Sequence, residues 1–136
     1  RGTHVPMAAS ALVDINAVAA ISPSQLSIIT TNYFDDDVPG PAAVVDMNLT
    51  GIPHPNGEAT LTEYRIDSDH SNSYTVWTAM GSPQTPTAEQ YAQLKSAGQL
   101  ATMGDPKPIQ ITDGAATLHL TLPRQAVSLL VLHWKE

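Results

Sequence analysis

The apolar residues of this chain fall into short alternating runs, each closed by Pro, Gly, Asn or Asp. A period of two places successive side chains on opposite faces, which is the pattern of a half-buried antiparallel sheet and not of a helical bundle. Gln25 to Phe34 sets Leu26, Ile28, Thr30, Asn32 and Phe34 on one face and Ser27, Ile29, Thr31 and Tyr33 on the other. Apolar groups on both faces predict a central strand. Leu12 to Ile21, rich in Val, Ile and Ala, predicts another strand, closed by Ser22-Pro23-Ser24. Ala43 to Leu49 alternates through Val45, Met47 and Leu49, and Glu58 to Ile66 turns Ala59 and Leu61 inward. The intervening Asn56-Gly57 is a turn signal. Ile109 to Thr112, Asp113-Gly114 and Ala115 to Leu122 predict a hairpin, and the apolar run in Ala126 to Trp134 predicts a buried strand. About seven strands at this spacing predict a mainly β fold, an Ig-like antiparallel β-sandwich.

One stretch departs from that period. Val76, Trp77 and Met80 stand at helical spacing, and Thr87-Ala88-Glu89-Gln90 is a capping-box sequence, in which a hydroxyl and an amide each satisfy a free N–H at a helix start. Gly98 suits the residue after a helix end. A two-helix insert is therefore expected over about 71–100.

A length of 136 residues accommodates one domain and falls short of the ~250 residues that a (β/α)₈ barrel needs. Only 14% of residues are charged, and the net charge is -7 without a basic run, so nucleic acid is not an expected partner. The absence of cysteine rules out disulfides and thiolate metal sites and leaves the compartment open. No run approaches the ~20 apolar residues of a membrane span, and none has the pattern of a signal peptide. Residues 1–7 resemble a tag or linker remnant, leaving 8–136 as the domain.

Several polar groups invite a functional assignment. Asp35, Asp36 and Asp37 offer oxygen ligands for Ca²⁺, but they lack the spacing and closing Glu of an EF-hand, and a solvated acidic turn carries more weight. Arg65, Asp67, Asp69, His70, Asn72 and Tyr74 form the densest polar cluster. A His–Asp acid/base pair is one use for it; capping of the strand-to-helix junction, or bonding to another domain, is the weightier one. Tyr33, Tyr64, Tyr74, Trp77, Tyr91 and Trp134 would suit sugar stacking only if exposed, and most lie in patterns that predict burial. His54, His119 and His133 lack metal-ligand spacing. No cofactor is expected.

The run Tyr64-Arg65-Ile66-Asp67-Ser68-Asp69-His70-Ser71-Asn72-Ser73-Tyr74-Thr75-Val76-Trp77 closely resembles family 39 glycoside hydrolases, the β-xylosidase family. The likeness continues through Met80-Gly81-Ser82-Pro83-Gln84 and Pro86-Thr87-Ala88-Glu89-Gln90. It recurs in Asn32-Tyr33-Phe34-Asp35-Asp36-Asp37, where Phe34 stands in place of a frequent His, and in Leu122-Pro123-Arg124-Gln125-Ala126. Members of that family join a (β/α)₈ catalytic barrel to a C-terminal β-sandwich with a small helical piece, and the matched runs belong to the sandwich. The resemblance implies a non-catalytic domain whose partner is the barrel of the same protein. It also leaves room for a homo-oligomer through the apolar patch exposed in isolation, and for an N-terminal strand supplied by Met7 to Val13. The family's acid/base glutamate follows Asn in an Asn-Glu-Pro motif; none of Glu58, Glu63, Glu89 and Glu136 does, so no catalytic residue is expected. A carbohydrate-binding module for xylo-oligosaccharides is the alternative.

Overall fold

The computed structural model describes residues 2–3, 7–8, 15–33 and 40–135. Asp35, Asp36, Asp37 and Phe34 lie outside the described residues, as does most of the stretch from Met7 to Val13. The strands are β1 (Gly2–Thr3), β2 (Met7–Ala8), β3 (Ile15–Ser22), β4 (Gln25–Asn32), β5 (Ala43–Leu49) and β6 (Gly57–Ile66). Two helices follow, α1 (Ser73–Ala79) and α2 (Ala88–Ala97), then β7 (Ala101–Thr102), β8 (Lys107–Ile111), β9 (Ala116–Leu122) and β10 (Val127–His133).

All pairings are antiparallel, in two sheets. The larger runs β1-β3-β4-β10-β6-β7, with β8 also on β6, and the smaller runs β2-β5-β9. As expected, β4 is central, between β3 and β10. Met7–Ala8 pairs with Met47 and Asp46 of β5, so part of the stretch proposed as an added strand does lie on a sheet.

Alternation decides what is buried. Ile28, Leu130 and Leu132 of the larger sheet and Val45, Met47, Leu118 and Leu122 of the smaller one are each at most 2% exposed and share one core. Each such side chain contributes roughly 1.5–3 kcal/mol by leaving water. Trp134 closes one end, with its Nε1 donating to Pro23 O (2.9 Å) and the His54 ring stacked on it at 6.1 Å. This mainly β, antiparallel arrangement with two helices is the expected class.

One local expectation needs correction. Asp113 and Gly114 do form the tight turn, both at positive φ (54° and 71°), as a type I′ turn requires. However, only Thr112 and Ala115 bridge across it; β8 then joins β6 in the larger sheet and β9 joins β5 in the smaller. The two strands leave the turn with Ile111 and Leu118 buried in the shared core, so the element is a corner between sheets and not a hairpin. Gly98 ends α2 as expected, with its backbone in the right-handed region (φ -83°). Its glycine identity follows from close approach, since a Cβ there would lie 2.6 Å from Ser73 Oγ of α1.

Candidate functional site

β6 carries its inward phase past the apolar Ala59 and Leu61 to Glu63 and Arg65, which places two charges on the core side of the sheet. Arg65 is only 3% exposed. Its Nη2 lies 2.5 Å from Glu63 Oε2 and donates to Thr121 O of β9 at 3.1 Å, while Nη1 is 3.6 Å from Asp67 Oδ2. Ser128 of β10 donates to the same Glu63 oxygen at 2.6 Å. On β4, Asn32 Nδ2 donates to Leu122 O (3.0 Å) and Pro123 O (3.3 Å). These groups form a buried polar belt that ties the larger sheet to β9. Register explains it: Ser128 pairs with both Thr30 and Arg65, so one inward row across three strands is polar.

The belt continues into the loop before α1. Asp67 Oδ1 accepts from the Asp69 N–H (2.8 Å) and lies 2.7 Å from His70 Nδ1. Burial alone would raise the Asp67 pKa, but these two bonds and the charge of His70 outweigh it and hold the carboxyl below its ordinary value. Asn72 Nδ2 donates to Asp67 O (3.1 Å), and its Oδ1 caps α1 by accepting from the Thr75 N–H (3.3 Å). Ser71 Oγ donates to Arg65 O and accepts from the Ala101 N–H, both at 2.8 Å, which links β6, the loop and β7. The structure thus brings Arg65, Asp67, Asp69, His70 and Asn72 into one network. Tyr74 stands apart, 67% exposed, with its ring tilted against Trp77 at 5.8 Å.

The expected burial of the aromatics is only partly observed. Trp134 is buried, whereas Tyr33, Tyr74 and Tyr91 are all more than half exposed. Tyr74 and Tyr91 belong to helices that bury no residue at all, so the helical insert rides on the rim of the fold and does not complete its core. His119 pairs with Asp46 at 2.5 Å on the outer face of the smaller sheet. Glu63, Ser128, Thr30 and Asn32 are the members of the belt that the motif reading left unassigned. Their signal was in the alternation itself: Glu63 is in phase with Leu61, and Thr30 and Asn32 with Ile28.

Beside Glu63 a cavity of about 270 Å³ opens between the two sheets, lined by Leu61, Glu63, Lys107, Ile109, Thr117 and His119 among others. Within it the Glu63 carboxylate already serves as counter-ion to Arg65 and acceptor for Ser128. Among the described residues, no three His, Asp or Glu side chains gather as a metal site would need.

No protein-family model matches the chain. It is 31% identical to the α-L-iduronidase of Mus musculus over 104 residues, 74% of this chain but only 16% of that protein. Among solved structures, the GH39 enzyme from Xanthomonas axonopodis pv. citri superimposes with a TM-score of 0.73 at 18% identity, over 86% of this chain and 25% of that one. A monomeric β-xylosidase from Caulobacter crescentus CB15 does so with a TM-score of 0.67 at 20% identity, over 86% of this chain and 26% of that one. The fold is therefore one found within GH39 glycosidases, of which it makes up about a quarter.

Proposed function

We propose that this chain is the C-terminal, non-catalytic β-sandwich of a GH39-type retaining glycoside hydrolase, and that it packs against and stabilises a (β/α)₈ catalytic barrel in the same polypeptide. The observation that carries this reading is the partial coverage: the fold matches 86% of this chain but only about a quarter of each solved GH39 enzyme. The chemistry of the belt supports it. Retaining hydrolysis needs two carboxyl groups ~5–5.5 Å apart across the scissile bond, one of them protonated. Here Glu63 is committed to Arg65 and Ser128, and Glu58 and Glu89 are exposed. The network of Arg65, Asp67, Asp69, His70 and Asn72 acts in this reading as a structural brace at the junction of β6 and α1, with Tyr74 left to face a neighbour.

The whole protein hydrolyses a β-xyloside in this proposal; its sequence relative is named for α-L-iduronide hydrolysis, so both substrates belong in the test. The isolated chain is assayed on nitrophenyl β-xyloside and on a fluorogenic α-L-iduronide, beside the longer polypeptide that carries it. Turnover by the longer polypeptide alone supports the proposal, and turnover by the isolated chain refutes it. One observation favours a second reading, a carbohydrate-binding module: Tyr74 and Tyr91 present their rings to solvent on neighbouring helices. Calorimetric titration with xylohexaose decides it, since a module gives saturable heat that Tyr74→Ala with Tyr91→Ala abolishes.

A further inference from the structure

Among the described residues, β9 ends the smaller sheet, while β7 and β8 end the larger one beside β6. The cavity of about 270 Å³ lies in the seam between them. Its floor is aliphatic: Leu118 and Leu130 reach it from the core, with Leu61 and Ile109 partly buried beside them. Register places Lys107 opposite Leu61 and Ile109 opposite Ala59, so Lys107 leaves β8 on the side of that floor. A chain with only 14% charged residues sets three of them, Glu63, Asp105 and Lys107, around this one cavity. All three keep bonding capacity. Both hydrogen bonds to the Glu63 carboxylate fall on Oε2; among the described residues Oε1 has no partner, and the side chain is 18% exposed. Asp105 and Lys107 are exposed and form no ion pair with any described residue. The remaining titratable group of the lining, His119, is held by Asp46.

We infer that this cavity binds a small zwitterion with an aliphatic body, of the class of a free branched-chain α-amino acid. Size limits the ligand first, since the volume lies below the ~300 Å³ at which pockets for drug-sized molecules begin. Charge and polarity then select among small molecules. An anion meets the carboxylates of Glu63 and Asp105, and a lone cation sits beside the Lys107 ammonium with no acceptor to offer it. A polyol loses hydration against the aliphatic floor, where its hydroxyls find no partners. A zwitterion answers each group. Its ammonium donates to Glu63 Oε1 and Asp105, its carboxylate accepts from Lys107, and its branched side chain covers Leu61, Ile109, Leu118 and Leu130. Neither half of such a ligand makes both kinds of charged bond alone.

Titration of the full 136-residue chain at neutral pH, followed by NMR chemical shifts, tests this. Three probes share one branched side chain: L-leucine carries both charges, isoamylamine lacks the carboxylate and isocaproate lacks the ammonium. Leucine is expected to saturate shifts at Leu61, Glu63, Ile109 and Leu118, and each analogue to bind weaker by about tenfold or more, the loss of one charge-assisted bond. Lys107→Met, at an exposed side chain without an ion pair, should bring leucine down to the level of isoamylamine and leave isoamylamine unchanged. Asp105→Asn should weaken leucine and isoamylamine together and spare isocaproate, with circular dichroism verifying the fold of both variants. Equal affinity for all three probes overturns the charge recognition and leaves a merely apolar cavity. Unsaturated shifts, or shifts away from these residues, overturn the site itself. Isoamylamine binding more tightly to the Lys107→Met chain than to the wild type also overturns it, because Lys107 is then the cation that fills the cavity.

Discussion

Replacing Arg65 with Met tests whether the polar belt holds the two sheets together. The substitution keeps most of the stem's volume and removes the guanidinium. Glu63 and Asp67, whose side chains are 18% and 7% exposed, then lose their cation, and Thr121 O of β9 loses its donor. Breaking a buried ion pair by removing one partner costs about 3–5 kcal/mol, because an uncompensated charge is left behind. An orphaned buried carbonyl costs about 1–3 kcal/mol, but the two losses share one side chain and do not simply add. A total near 4 kcal/mol at neutral pH is expected. Urea denaturation followed by tryptophan fluorescence reads it, and at a slope of about 2 kcal/mol per molar the midpoint falls by ~2 M. The control is Glu63→Gln in both backgrounds. If the cost is the stranded carboxylate, Glu63→Gln destabilises the wild type but recovers at least ~1.5 kcal/mol in the Met variant, within the range seen for coupled neighbours. Arg65→Lys should rescue poorly, since one ammonium cannot serve acceptors on both sheets. A loss under ~1 kcal/mol, or equal effects of Glu63→Gln in the two backgrounds, would refute the belt as an energetic link.

Two further perturbations probe the neighbouring network. Asp67 has a lowered pKa in the folded state, so its bonds to His70 and the Asp69 N–H stabilise the protein above the unfolded value of about 3.9 and are lost as pH falls through the folded value. Asp67→Asn should therefore cost stability at pH 6–7 and progressively less below about pH 4; a pH-independent difference would contradict this. Thr87→Ala removes half of the capping box, whose Thr87 Oγ1 accepts from the Gln90 N–H at 3.1 Å. A cost of about 1 kcal/mol is expected. Because α2 buries no residue, hydrogen exchange should rise across the helical insert and stay unchanged in β4 and β10.

The strands were legible because a period of two assigns each side chain a face, and one face was apolar. Leu26, Ile28, Val45, Met47, Leu118 and Leu122 could be placed in the core from spacing alone. Capping at Thr87 was legible for a similar reason, since the hydroxyl and amide are local to one helical turn. Sheet membership was not. Asp113-Gly114 specifies a tight turn equally well within one sheet or between two, and only packing at a distance sends β8 and β9 apart. The belt was half legible: the alternation puts Glu63, Arg65, Thr30 and Asn32 inward, but nothing in the sequence says that Thr121 and Leu122 carbonyls await them.

The position of β10 has a consequence for how the protein is made. The middle of the larger sheet, between β4 and β6, is filled by residues 127–133. As the chain leaves the ribosome, β3 with β4 and β6 with β8 can pair early, yet each waits with an open edge for a partner separated from β4 by about a hundred residues. Closing so distant a contact is slow, on the millisecond-to-second scale of β-rich domains, and unpaired edges are where misassociation begins. The nascent domain is therefore most exposed to aggregation just before its last strand arrives.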